Sequence, residues 1–367
     1  GCGACLKPTP TMCPTYIATG DELMSTRGRA NLIRAALTGR SSRPGNPLLS
    51  AELDQALSNC LACRACVREC PSNVHMSLLK AELAHARIVR RGLGLRERLV
   101  SSVDQLGRLG CAAPGLANFL INFSVTRHVF LRALGFSPRR EMPRYARLRF
   151  DEWFERRPMA EGARRGTVVL WDDTFVRYHE SRVAMAAVHV LEAAGYRVRL
   201  VQGRKCCGRP AFSQGNLDEV KRLGTHNLAL LSREVEKAPI LFLEPSCWSM
   251  FREDYRELGL PRAAEVAPRA FLFEEFIAGL LDEEPAALPF NEKPGNIVIH
   301  AHCHARAAGR ADVLRRVAER LPERSVSLLD TGCCGMAGAF GMLNSKYDLS
   351  VKVAEPLIAK LMAQPYG

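Results

Sequence analysis

Residues 59–74 read NCLACRACVRECPSNV, which sets Cys60, Cys63, Cys66 and Cys70 at the spacing C-x2-C-x2-C-x3-C and follows the last of them with Pro71. Two intervening residues let a backbone curl around one point. Cys60, Cys63 and Cys66 can therefore grip one face of an iron–sulfur cubane, while the turn before Pro71 carries Cys70 to a second cluster. Zinc favours two separated cysteine pairs, so an unbroken run of four closed by proline reads as 4Fe–4S ligation.

The amino-terminal residues supply a partner run, Cys2, Cys5 and Cys13, the last again followed by proline. By the crossover of two-cluster ferredoxins, Cys13 completes the cluster of Cys60, Cys63 and Cys66, and Cys70 completes that of Cys2 and Cys5. That second cluster then has three thiolates. A fourth, three residues ahead of Cys2, would precede Gly1, so the sequence reads as the C-terminal part of a longer polypeptide. A three-cysteine site with a 3Fe cluster or another ligand is the alternative. Helices are expected over Met24–Leu37, capped by Ser25 or Thr26, over Ala51–Asn59 and over Met76–Arg91, with a Gly/Ser/Pro-rich loop from Thr38 to Pro47. Residues 1–90 thus form an α-helical, two-cluster ferredoxin-type domain.

Residues 91–160 are helical and Arg-rich in pattern and read as a connector. Cys111 is their lone cysteine and reads as buried. The most apolar stretch, Phe119–Phe136, is interrupted by Arg127, His128 and Arg132. It is too broken for a membrane span. It reads as a packed helix, with an interfacial membrane helix as the alternative.

From Gly166 the pattern alternates. Strands are expected at Thr167–Trp171, Arg197–Val201, Pro239–Leu243, Asn296–His300 and Ser325–Leu329. Helices are expected at Arg182–Ala194, Leu217–Val235, Val313–Arg320 and Tyr347–Leu361. The order strand, helix, strand, Cys-Cys-Gly occurs twice, ending in Cys206-Cys207-Gly208 and Cys333-Cys334-Gly335. The fold class is therefore α+β and multidomain: the ferredoxin-type domain, then an α/β domain of two repeats, residues 161–290 and 291–367, on a mostly parallel sheet. Both Cys-Cys-Gly motifs follow strands, where sites in such sheets lie.

Repeat one offers Cys206, Cys207 and Cys247. Repeat two offers Cys303, Cys333 and Cys334, flanked by His302 and His304. In repeat one Asp172 or Asp173 takes the position of Cys303. Two matched sets of three point to a further metal or cluster site between the repeats, or to a redox-active thiol site; packed thiols on a vestigial turn are the plainer reading. His302, His304 and Asp172 are candidates to flank the sulfur ligands and hold them in place, and Glu244 and Asp330 either tune the site or cap helices. Arg27-Gly28-Arg29 steers an acidic partner or forms a solvated helix start.

The 367 residues include 14 Cys and carry a net charge of +13. A secreted disulfide scaffold is usually short, so clustered cysteines in so long a chain point to a reducing, cytoplasmic setting. The charge suits an acidic partner or a negative membrane face. Neither Gly-x-Gly-x-x-Gly after a strand nor a Walker motif occurs, and no aromatic-interleaved basic patch supports nucleic-acid binding.

Taken together, MCPTYIATGDELMSTRGRANLIRAAL, NCLACRACVRECPSNV, KCCGRPAFSQGNLD, LEPSC, HAHCHARA and DTGCCGMAGAFGM resemble the iron–sulfur parts of FAD-linked 2-hydroxy-acid dehydrogenases. Relatives are the glycolate oxidase iron–sulfur subunit and the C subunit of anaerobic glycerol-3-phosphate dehydrogenase; the chain is most similar to the C-terminal half of D-2-hydroxyglutarate dehydrogenase-type enzymes. The resemblance implies two 4Fe–4S clusters, FAD held by a separate domain or subunit, and electron delivery to a quinone or a carrier protein, in the cytoplasm or on the inner face of the membrane. Alone, the chain is not expected to oxidise substrate. The Cys-Cys-Gly domain is similar to that of the heterodisulfide reductase B subunit, which implies a non-cubane cluster or, as an alternative function, thiol–disulfide chemistry. Here the sequence departs from the pattern: an Asp replaces the upstream Cys of repeat one, and no second Cys follows two residues after Cys247.

Overall fold

The computed structural model describes residues 2–7, 12–38, 48, 50–158, 163–234 and 238–364. Gly1, Val235 and nearly all of the expected loop from Thr38 to Pro47 lie outside them.

The first ninety residues fold into short helices around the cysteine runs: α1 (Pro14–Thr19), α2 (Thr26–Leu37), α3 (Ala51–Ser58), α4 (Ala65–Glu69) and α5 (Met76–Arg91). Their starts are written in the sequence. Ser25 and Ser50 each cap a helix by accepting a backbone N–H, from Gly28 and Leu53, and Pro14 opens α1. Arg29 departs from expectation. It is buried, donating to the Ala56 carbonyl at 2.7 Å and to Thr15 at 2.9 Å. It is a pillar between α1, α2 and α3 rather than a solvated helix start. Arg27 remains at the surface, paired with Glu22 at 3.0 Å.

The connector holds α6 (Leu95–Ser101), α7 (Val103–Ala112), α8 (Pro114–Asn122), α9 (Ser124–Ala133) and α10 (Phe150–Arg156). The single packed helix expected over Phe119–Phe136 is not formed. Extended backbone at Phe123 breaks it in two, and most of its apolar side chains face solvent. Its far end is packed: Leu131 and Phe136 are buried in one cluster, and Phe136 bridges to Leu343.

Among the described residues, the second half carries six strands, all paired in parallel. β1 (Thr167–Trp171), β2 (Arg197–Arg199), β3 (Ile240–Phe242) and β4 (Ala270–Leu272) form a sheet in the order β2-β1-β3-β4, and β5 (Gly295–Ile299) pairs with β6 (Arg324–Leu328) separately. Side chains alternate across the four-stranded sheet. Val169, Trp171, Ile240 and Phe242 enter one core, and Val168, Leu170 and Leu241 enter another on the opposite face. The strand order reverses at β1, so the crevice beyond the ends of β1 and β3 is where a site is expected. Asp172-Asp173 and Glu244–Cys247 open there.

Candidate iron–sulfur and thiol centres

The loop of the C-x2-C-x2-C run is wound by left-handed backbone at Ala62 (φ 53°) and Arg64 (φ 62°), and the partner run turns the same way at Cys13 (φ 54°). This conformation is uncommon for non-glycine residues and curls the chain around the sulfurs. Cys5, Cys13, Cys60 and Cys66 are buried in one cluster with Leu53, Leu57 and Met76, and Cys63 and Cys70 pack against it. Cys2 is exposed. The two runs therefore meet in one buried cluster. Cys13 Sγ accepts the Thr26 N–H at 2.8 Å, and Cys5 Sγ accepts the Arg27 N–H at 3.4 Å. Backbone N–H groups aimed at sulfur in an apolar cradle suit cluster-bound thiolates, so these residues fit two 4Fe–4S clusters. Burial pushes the free Cys13 thiol up to about 11 and Cys66 to about 12. Iron must displace those protons on loading.

The hydrogen bonds among the repeat cysteines fall within each repeat, while the helix of Cys247 packs against that of Cys303. In repeat one Cys207 lies 2.9 Å from Cys247, with Cys206 hydrogen-bonded to Cys207. All three are buried. Asp172 was the expected polar neighbour, but its carboxylate is taken by Arg177 and by Arg204, the latter at 3.3 Å. Asp173 is the group left over. One of its oxygens caps Thr174–Tyr178, while Oδ2 is buried without a hydrogen-bond partner. Burial, then the nearby Glu244, raises its carboxyl to about 7.

In repeat two Cys333 is hydrogen-bonded with Cys303 and with Cys334. Those bonds hold Cys303 and Cys334 below the ordinary thiol range, Cys334 with help from His300. Glycine is required beside both motifs. Gly208 and Gly335 have φ near 79° and 78°, and a Cβ on Gly335 would lie 2.1 Å from the Ser350 carbonyl oxygen.

The two histidines serve as fasteners. The His302 ring caps Cys303–Ala307 through the His304 N–H at 3.1 Å, and its far nitrogen is 3.5 Å from Glu244. His304 is buried between Ser249 Oγ at 2.8 Å and the Ala62 backbone. Both nitrogens are engaged, and burial, then the adjacent Arg209, keeps the ring neutral. Asp330 is exposed, and Glu244 caps its helix through the Ser246 N–H at 3.0 Å. Half-buried Cys111 donates to the Tyr178 carbonyl.

Ferredoxin loop and repeats meet directly. Cys63, Cys303, Cys333 and Arg306 line one small gap. Burial, then the Cys303 sulfur, pushes the Cys63 thiol far up. Next to it Arg64 reaches across 190 residues to Asp254 at 2.6 Å and to Glu253, and Asp254 also takes Arg209 at 2.6 Å. With His75 and Glu257, Asp254 forms the one compact three-donor group among the described residues. Its carboxylate is already spoken for by two guanidinium groups.

Two family models match parts of this chain. The model of the 4Fe-4S dicluster domain matches residues 1–74, and that of the cysteine-rich domain matches residues 173–252. This chain is an iron–sulfur electron-transfer module: a 4Fe–4S dicluster domain followed by a cysteine-rich domain. It is similar to D-2-hydroxyglutarate dehydrogenase of Pseudomonas putida, 27% identical over 93% of this chain and 37% of that protein. It is also similar to the C subunit of anaerobic glycerol-3-phosphate dehydrogenase of Escherichia coli, 25% identical over 73% of this chain and 68% of that protein. Lactate utilization protein A 1 of Bacillus cereus is 27% identical over 48% of this chain and 74% of that protein. The chain spans little more than a third of the length of the first of these relatives. No solved structure matches it.

Sequence reasoning missed two groups in the dicluster and cysteine-rich domains. His300 ends β5, hydrogen-bonds Thr331 at 2.9 Å and reaches Cys334. Its signal was present, since HAHCHARA places it three residues before Cys303 at a strand end. Arg64 carried no comparable signal.

Proposed function

We propose that the chain carries electrons from a flavin, held by an FAD-binding dehydrogenase domain or subunit, to a quinone or an electron carrier, as part of the oxidation of a 2-hydroxy acid such as D-2-hydroxyglutarate, D-lactate or glycolate. The observation that carries this reading is the contact of Cys63, a ligand of the dicluster domain, with Cys303 and Cys333 of repeat two. When bound, the clusters supply one-electron donors and acceptors. The chain's own residues would do the rest. Cys2, Cys5 and Cys70 hold the cluster nearer the amino end, and Cys13, Cys60, Cys63 and Cys66 hold the one facing the cysteine-rich domain. Arg64 and His304 fasten the ligand loop to both repeats, and the apolar cradle excludes water. The repeat-two thiols are the next stop toward the acceptor, with peripheral membrane contact on the cytoplasmic face bringing a quinone within reach.

The test is anaerobic co-purification with the FAD-binding partner, followed by addition of 2-hydroxy acids one at a time. Cluster absorbance should bleach with one of them. A flavin reduced by substrate beside clusters that bleach only with dithionite would overturn the reading. The low-lying Cys334 thiol beside His300 favours a second reading, a thiol–disulfide oxidoreductase. It requires disulfide reduction by the reduced chain that is lost in Cys334→Ser.

A further inference from the structure

Helix α8 is built inside out. Asn118 and Asn122, one turn apart, face the protein: Asn118 donates to the Tyr145 carbonyl at 2.9 Å and accepts its N–H at 2.7 Å, and Asn122 accepts the Met142 N–H at 3.1 Å. Leu116, Phe119, Leu120 and Phe123 lie on the opposite side and are exposed, Leu116 at 61%. A surface helix ordinarily buries its apolar stripe and solvates its amides. No residue of α8 is buried, and Leu131 alone is buried in α9. Val125, Val129 and Phe130 of α9, and Leu109 at the end of α7, extend the same uncovered apolar surface, with Phe119 and Phe123 stacked at 4.8 Å. Isolated exposed apolar residues need no explanation, but a contiguous face held outward by hydrogen-bonded asparagines does.

Its surroundings select the occupant. Residues 95–147 carry nine arginines against three acidic residues, and Arg108, Arg132 and His128 are exposed beside the apolar side chains. Apolar side chains with a cationic border suit the headgroup boundary of an anionic bilayer, where side chains enter to a shallow depth and arginines meet lipid phosphates. Among the described residues no helix is long and apolar enough to cross a membrane, so contact through this face would be peripheral.

We propose that the apolar face of α8 and α9, bordered by Arg108 and Arg132, seats the protein on an anionic lipid surface. The proposal deepens the membrane contact stated above and does not depend on what the clusters do. The test is sedimentation of the whole chain with vesicles of phosphatidylcholine alone and of phosphatidylcholine mixed with phosphatidylglycerol. Binding is expected to the mixed vesicles only, weakening with salt. Phe119→Ser combined with Phe123→Ser should lower it at least about tenfold, and Arg108→Gln combined with Arg132→Gln should remove the preference for anionic lipid. All four side chains are exposed, so unchanged circular dichroism and cluster absorbance would show that the variants fold. Absent binding, unchanged binding by the Phe variant, or self-association in solution that the Phe variant abolishes would each overturn it. The last result would assign the face to a second copy of this chain.

Discussion

Replacing Arg64 with Met removes the guanidinium that ties the ferredoxin loop to the cysteine-rich domain. Arg64 is 3% exposed, and its partner Asp254 is equally buried. Leaving one member of a buried ion pair alone costs roughly 3–5 kcal/mol. Here Asp254 keeps Arg209 at 2.6 Å, so the charge left behind stays compensated and the expected loss falls to about 2–3 kcal/mol. The left-handed backbone at position 64 is no worse for Met than for Arg, so strain does not enter the difference. Asp254→Asn should cost more than Arg64→Met, because it withdraws a carboxylate from two guanidinium groups at once, leaving Arg64 with Glu253 and Arg209 with Ser249. The double variant should cost less than the sum of the two by about 1–3 kcal/mol. The assay is equilibrium denaturation of the metal-free chain for the four members of the cycle. A loss below about 0.5 kcal/mol for Arg64→Met, or strictly additive losses, would refute the clamp.

Asp173 holds a raised carboxyl pKa of about 7 against an ordinary 3.8, so the folded metal-free chain binds more protons than the unfolded one between those values and its stability should fall as pH rises through that window. Asp173→Asn should abolish that slope and stabilise the metal-free chain at neutral pH by on the order of 4 kcal/mol at most, read from urea unfolding at several pH values; an unchanged slope would contradict the assignment. Gly335→Ala must adopt φ 78° and fit a methyl against the Ser350 carbonyl, and should destabilise by about 2–4 kcal/mol, whereas Gly338→Ala, at φ 60° in open space, should cost about 1 kcal/mol. Equal losses in thermal unfolding would contradict the close approach. Cys13→Ser should alter the electron paramagnetic resonance of one cluster and Cys70→Ser that of the other, as the crossover demands; both variants changing the same signal would contradict it.

Most of the fold was legible because local chemistry marks it. Helices begin at Ser25, Ser50 and Pro14 because these residues satisfy or forgo the free N–H groups of a first turn. The span Thr167–Trp171 is an unbroken apolar run because both faces of its sheet are covered. β4 went unread, since Ala270–Leu272 is too short to display a period and is ordered by pairing with β3. The connector misled for a different reason. Apolar side chains report burial only when a core lies opposite them, and the Asn118 and Asn122 hydrogen bonds turn α8 the other way. In the candidate site, thiolate spacing marked out the dicluster domain, which the matching family model covers. The roles of Arg64, Asp173 and His304 arise from contacts between segments far apart in the chain. Spacing did not show that the sulfur of Cys63, from the first domain, meets Cys303 and Cys333 of repeat two.

The most direct measurement is iron and sulfide analysis of anaerobically prepared chain together with electron paramagnetic resonance after reduction by dithionite. The account predicts about eight iron and eight sulfide from the dicluster domain, with two magnetically interacting cubane signals. Stoichiometric zinc in place of iron, or a chain that stays colourless after reconstitution, would contradict it.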